Sequence, residues 1–269
     1  MSEPASGAPE ARTLVTFYSS AADEYQRLWA PELLRMSRLL LEEVPFKGAR
    51  RVLDVATGVG TLLPEISRLV PGAFIHGVDV AEGMVRLAPE GSSVSVMDAM
   101  QLGLRSESFD VGLIPFALFH LPDPSVGLGE MARVISPGGA IGTVTWGDDP
   151  GYAALDIWSE ELDAAGAAEA DVTIARHDLV DTPAKMTALL DEAGFDRIRT
   201  WTATYEKAMT AEEFVDHRVG HGMSRRRFDS LGPHARALCL TRVRRRLEEV
   251  DREGLTDTSE VIFALARRP

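Results

Sequence analysis

Three aspartates, one glycine turn and several histidines are the residues of this chain whose types and spacing can do chemistry. The turn is Asp54-Val55-Ala56-Thr57-Gly58-Val59-Gly60. Its glycines let a backbone pass close to a ligand without a Cβ clash, and the amides opening the next helix attract anionic groups. Asp79 lies 25 residues after Asp54 and 19 after Gly60, a distance suited to a carboxylate that accepts hydrogen bonds from two ribose hydroxyls. Asp98, followed by Ala99, is the third acid. Each acid alone could simply cap a helix, but three at successive strand ends would line one edge of one cleft. Carboxylates there repel phosphates and favour a ligand with a positive or neutral head. A dinucleotide fingerprint needs a third glycine at position 63, which is Leu63, so the turn is wrong for NAD.

Such an edge needs strands that end there and helices that follow. Residues 50–55 form a short apolar run (Val52, Leu53, Val55) ending in the turn, and a helical pattern follows over 62–70, with Pro64 tolerable in its first turn. The alternation continues with a strand over 73–80, a helix over 83–88, and strands over 93–97 and 110–116. An amphipathic stretch over 126–135 stops at Pro137-Gly138-Gly139, after which 140–146 is β-rich again. Strands alternating with helices mean an α/β protein whose mostly parallel sheet is covered on both faces. Ahead of this core, 14–44 reads as two helices broken near Pro31. Beyond it, a helix over 182–193 ended by Gly194, a strand over 195–205 and a last strand over 259–266 bring the strands to seven.

Residues 210–253 are almost wholly helical in pattern and read as an insertion before the last strand, a lid expected to cap one end of the sheet. Within 217–247 it carries nine arginines (218, 225, 226, 227, 236, 242, 244, 245 and 246) against one acid, Asp229. A solvated helix face paired with acids elsewhere is expected, with an anion site as the alternative. The organisation expected is a disordered tail (1–12) and a single domain (13–269). That domain divides into an N-terminal helical cover (13–45), a core (50–205), the lid (206–254) and the last strand (255–269).

Composition narrows the partners. The chain has 28 Lys plus Arg against 41 Asp plus Glu, a formal charge of −13, so its average surface repels a long anionic polymer and no nucleic-acid partner is expected. A single cysteine, Cys239, excludes an intramolecular disulfide framework and a cysteine zinc cluster, and reads as a small buried hydrophobe. No uninterrupted run of 18 apolar residues occurs, and the first dozen residues lack the charged-then-apolar order of a secretory signal. A cytoplasmic protein without membrane contact is expected, as a monomer or homodimer.

Together these residues resemble a known family. The Val52 to Thr61 turn, Gly77-Val78-Asp79 with Met84 and Ala88, Met97-Asp98-Ala99, Ser108-Phe109-Asp110 and Arg133-Val134-Ile135-Ser136-Pro137-Gly138-Gly139 look like the core of a class I S-adenosylmethionine-dependent methyltransferase. The likeness is to the small-molecule group similar to the ubiquinone/menaquinone-biosynthesis enzymes. It implies a Rossmann-like fold and S-adenosylmethionine as cofactor, with S-adenosylhomocysteine as product. By this resemblance Asp54 and the backbone of Ala56, Gly58 and Gly60 would hold the amino-acid end of the cofactor. Asp79 would take the ribose hydroxyls, Met84 or Val80 would pack on the adenine, and Asp98 would accept from the adenine amino group near the Ala99 amide. Phe116 and Ala117 would flank the methionine portion. A helix resembling Ala22-Asp23-Glu24-Tyr25 folds over the cofactor in this group, and its tyrosine, here Tyr25, reaches the carboxylate. Ala56 departs from the family's glycine and narrows the turn.

His120 follows the fourth strand, where the methyl should point, and is the candidate base or acceptor-orienting group. His217 and His221 share a helix face at i, i+4 spacing and are candidates for the acceptor side or simply for the surface, and Trp146 and Tyr152 would form an apolar wall for the acceptor, although packing against the lid would explain both. His76, inside the second strand, is expected to be structural, and nothing in the sequence requires a metal. The implied reaction is methyl transfer to O, N or C of a small-molecule metabolite such as a natural-product intermediate. The alternative is a protein of the same fold that binds the cofactor without transferring methyl, a cyclase or a regulatory module.

Overall fold

The computed structural model describes residues 9–169, 176–220 and 222–269. Three helices come first: α1 (Pro9–Ser20), α2 (Ala22–Leu28) and α3 (Ala30–Glu43). The alternating part follows as β1 (Arg51–Val55), α4 (Leu63–Leu69), β2 (Phe74–Asp79), α5 (Glu82–Val85), β3 (Ser93–Val96), β4 (Phe109–Leu113), α6 (Pro124–Val134) and β5 (Ile135–Trp146). Then come α7 (Ala153–Ala164), α8 (Pro183–Glu192), β6 (Asp196–Ala208), α9 (Ala211–Gly220), α10 (Gly222–Asp229), α11 (Pro233–Leu247) and β7 (Thr256–Arg267).

The strands form one seven-stranded sheet in the order β3-β2-β1-β4-β5-β7-β6. Strands β1 to β5 pair in parallel, and β7 runs antiparallel to β5. The expected α/β sheet is therefore present. The chain lays β2 and β3 on one side of β1 and then crosses to lay β4 and β5 on the other. The strand order thus reverses between β1 and β4, and an open parallel sheet parts there to admit a ligand. Val52, Leu53, Val55, Leu113 and Ile141 are buried, because a sheet covered on both faces has no solvent side to alternate towards. Full burial of each such side chain stabilises by about 1.5–3 kcal/mol.

The chain divides into two compact units, Met1–Gly147 with Thr173–Thr202 and Val261–Pro269, and Asp148–Val172 with Ala203–Glu260. The second contains the helices expected as a lid and also takes in α7, which lies outside the expected 206–254. Its core includes Trp158, Phe214, Phe228, Val243 and Leu247 together with Cys239, which is buried. Among the described residues no helix is long and apolar enough to cross a membrane.

Several local expectations are corrected. Pro9 to Arg12, expected in the tail, belong to α1. The helical cover breaks at Trp29, close to Pro31 as expected, Pro31 sitting in the first turn of α3 where a missing N–H is no loss, and it breaks a second time at Ala21. Helix α6 starts earlier than expected, at Pro124, because Asp123 accepts from the amides of Ser125 and Val126. Pro137-Gly138-Gly139 does not separate helix from strand but lies inside β5, across a register shift against β4 between Phe109 and Val111. Gly138 there takes a φ of 76°, and a Cβ on Gly139 would stand 2.7 Å from the Asp110 carbonyl oxygen.

Candidate functional site

The turn after β1 is built on left-handed backbone. Ala56, Gly58 and Gly60 have φ of 56°, 57° and 72°. A glycine takes this conformation freely, whereas Ala56 pays roughly 1–2 kcal/mol for it, a local strain of the kind that gathers at functional sites. Gly60 is further constrained, since a Cβ there would lie 2.9 Å from Pro89 Cδ and 3.2 Å from Ala88 Cβ. The Thr57 amide donates to the Val78 carbonyl at 2.9 Å, tying the turn to β2.

Asp54 projects from β1, where it is registered with Gly77 of β2 and Leu113 of β4 at the point of strand-order reversal. It is 1% exposed. Its Oδ2 accepts from Thr57 Oγ1 at 2.6 Å, while its Oδ1 is buried with no hydrogen-bond partner among the described residues. Burial pushes its pKa up to about 7, Thr57 pulls the other way and the nearby Asp79 charge adds to the rise. A buried carboxylate oxygen with no donor is costly unless something cationic or donating completes it.

Asp79 closes β2 and joins two turns. Its Oδ2 accepts from the Gly58 amide at 2.9 Å and its Oδ1 from the Ala81 amide at 2.8 Å. Burial raises its pKa and these amides oppose the rise. Each of its oxygens has lone-pair capacity left for a hydroxyl donor. Val80 beside it is 41% exposed, an apolar surface at the strand tip, and Met84 is buried. A Cβ on Gly58 would meet the Tyr25 hydroxyl at 3.6 Å and Met84 Cε at 3.8 Å, so these two side chains roof the turn.

Asp98 lies two residues past β3 and is exposed, its Oδ1 accepting from the Met100 amide at 2.8 Å in a local turn, while Ala99 is buried. The three aspartates thus occupy the same end of three neighbouring parallel strands, with very different burial.

Past β4, Phe116 takes a φ of 53° and its ring stands 5.0 Å from that of Trp146. Ala117 is buried and leads into a short 3-10 turn, Leu118–His120. His120 Nε2 lies 2.8 Å from Tyr18 Oη. Tyr18 also packs edge-on against Tyr25, ring centres 6.1 Å apart. Tyr18 was not foreseen among the site residues. Tyr18 lies in α1 and Tyr25 in α2, on either side of the break at Ala21. Gly83 admits α1 here, since a Cβ on it would stand 2.3 Å from the Ser19 carbonyl oxygen.

The acceptor-side candidates separate. Trp146 belongs to the first unit, and Tyr152 and His217 to the second. Tyr152 is a core group there, buried, edge-on to Phe214 at 6.1 Å and hydrogen-bonded by Arg218. His217 Nε2 lies 3.0 Å from Lys207 Nζ, and His221 lies outside the described residues. His76 pairs with Ser93 Oγ at 2.9 Å and stacks on Phe74, as a structural group does. In the basic stretch, Arg225 and Arg236 pair with Asp229, Arg227 with Asp163, Arg244 with Glu212, and Arg246 with Glu160 and Glu161. Five of the nine arginines thus form the paired helix face expected.

Residues 53–142 match the family described as a methyltransferase domain. The ubiquinone/menaquinone biosynthesis C-methyltransferase UbiE of Syntrophotalea carbinolica is 32% identical over 108 residues, 38% of this chain and 46% of that protein. Aklanonic acid methyltransferase DauC of Streptomyces sp. strain C5 is 29% identical over 133 residues, 46% of this chain and 60% of that protein. The chain spans about half the length of the curated relatives it matches. Phosphoethanolamine N-methyltransferase 2 of Haemonchus contortus, solved with S-adenosyl-L-methionine, superimposes with a TM-score of 0.56 at 15% identity, over 99% of this chain and 61% of that one. At that identity the likeness establishes the fold. Residues 53–142 thus match a methyltransferase domain and lie in a sheet of this order, and the chain is similar over part of its length to the ubiquinone/menaquinone C-methyltransferases.

Proposed function

We propose that this protein transfers a methyl group from S-adenosylmethionine to a small-molecule acceptor in the cytoplasm. The observation that carries the reading is the Oδ1 of Asp54, buried at the point of strand-order reversal with no hydrogen-bond partner among the described residues. A cofactor with an ammonium head fits it, and a dinucleotide's phosphates do not.

In this reading Asp54 accepts from the ammonium, and the charge it meets draws its carboxyl back towards the ionised form. The backbone of Ala56, Gly58 and Gly60 follows the amino-acid portion, and Tyr25 reaches its carboxylate. Asp79 takes the ribose hydroxyls with the lone pairs its two amide donors leave. Val80 and Met84 bracket the adenine, Asp98 and the Ala99 amide address its edge, and Phe116 and Ala117 flank the methionine portion. S-adenosylmethionine supplies a methyl on a positively charged sulfur, activated for in-line displacement. The chain's own task is alignment and exclusion of water. The helices α1 and α2 contribute Tyr18 and Tyr25 to that exclusion, Trp146 gives the acceptor an apolar wall, and His120 handles the acceptor proton.

Titration calorimetry with S-adenosylmethionine and with NADH tests the cofactor: binding of the first alone is expected, and binding of NADH alone would end the reading. Formation of S-adenosylhomocysteine across a panel of hydroxyl, amine and carbon acceptors then separates transfer from mere binding.

A further inference from the structure

Arg218 departs from the paired arginines of the second unit. Arg225, Arg227, Arg236, Arg244 and Arg246 each meet a carboxylate. The part-buried guanidinium of Arg218 instead donates to the phenol oxygen of Tyr152 and has no carboxylate partner among the described residues. We propose that Arg218 and Tyr152 form a binding site for the carboxylate of an acidic small molecule. The site lies within the second unit and does not depend on the methyl-transfer reading.

Helix α9 sets the guanidinium in place. Phe214 and Arg218 stand four residues apart and so share a face. The guanidinium carbon lies 5.2 Å from the centre of the Phe214 ring and 5.9 Å from that of Tyr152, which immediately precedes α7. Attraction to the two rings positions the cation, but neither ring carries a charge to neutralise it. The phenol does not neutralise it either, because burial pushes the Tyr152 pKa up to about 12 against the pull of Arg218. At neutral pH Tyr152 therefore keeps its hydrogen, accepting from Arg218 through oxygen and able to donate in turn. Arg218 Nε is buried with no hydrogen-bond partner among the described residues. The neighbouring acid Asp257 is engaged elsewhere: it accepts from Ser259 Oγ at 2.8 Å, and burial raises its pKa while Arg218 and Lys207 oppose the rise.

A part-buried cation without a bonded counter-charge is costly. A planar guanidinium beside a phenol hydrogen offers donors suited to a planar anion with two oxygens, which a carboxylate supplies. The site thus selects a charge opposite to the one selected at the Asp54 turn.

Proton–nitrogen NMR of the full chain tests the site, with benzoate as the probe and benzamide as its neutral counterpart. The Arg218 Nε–H resonance, identified by its disappearance in Arg218→Lys, is expected to move saturably with benzoate at a Kd of about 1 mM and to stay in place with benzamide. Arg218→Lys keeps the charge and loses the planar fork, whereas Tyr152→Phe keeps the ring against Phe214 and loses only the hydroxyl. Followed through the backbone amides of α9, each variant is expected to bind benzoate at least about tenfold more weakly. Absence of saturation by about 20 mM benzoate, equal shifts with benzamide, or wild-type affinity in either variant would overturn the site.

Discussion

The turn after β1 and the helical unit of 148–172 and 203–260 both concentrate charge, and they hold it in opposite ways. In the turn two carboxylates stand at neighbouring strand ends, one of them 1% exposed with an oxygen that none of the described residues completes. In the helical unit many more charges lie along α9 to α11, but Arg244 and Glu212 are 44% and 68% exposed and already satisfied by each other. Solvent screens the second set, and low dielectric amplifies the first. Where chemistry can be concentrated is therefore decided by burial and unmet hydrogen bonds, and a sequence dense in charge is a poor guide to it.

That contrast predicts unequal responses. The largest belongs to Asp54. Its native pKa of about 7 lies above the 3.8 of an ordinary aspartate, so the folded state holds the proton that the unfolded state releases first. Its contribution to stability is full below about pH 4 and is lost progressively as pH rises through about 7, a change on the order of 4 kcal/mol. Urea unfolding of the wild type minus Asp54→Asn, followed across that range, should show the slope; a flat difference would mean that this carboxylate is as well solvated as those on the helices. Next is Asp79→Ala, expected to weaken S-adenosylmethionine binding by roughly 1.5–3 kcal/mol, the scale of hydrogen bonds to a charged group. Calorimetry showing an unchanged Kd would remove Asp79 from the ligand's contacts. The smallest is Arg244→Ala, expected to change unfolding free energy by under about 1 kcal/mol; a loss of several would contradict the view that the basic helices are a screened surface.

Much of the sheet could be read in advance because each strand and its following helix are encoded locally. The run Val52, Leu53, Val55 and the glycines behind it mark β1 and its turn without reference to anything distant. What escaped was of two kinds. Helix α7 carries a readable period, burying Ala154, Ile157, Trp158 and Leu162, but no strand follows it closely to frame it. Tyr152 packs on Phe214 and Arg218, residues some 60 positions away that the sequence does not single out as its partners. Tyr18 lies in α1, ahead of the helix for which a role could be inferred from Tyr25, and its partner His120 is 102 residues distant.

The spacing of Asp54, Asp79 and Asp98 along the chain was enough to assign them to one edge, since parallel strands that each end in an acid must present those acids on the same side of the sheet. It could not distinguish among them. Burial and hydrogen bonding depend on which distant segments arrive: Thr57 completes one oxygen of Asp54 and none of the described residues completes the other, two amides claim Asp79, and Asp98 is left in water with a bond to its own turn. The same holds for His120, whose bonding partner exists only because Gly83 lets a remote helix approach within contact of α5.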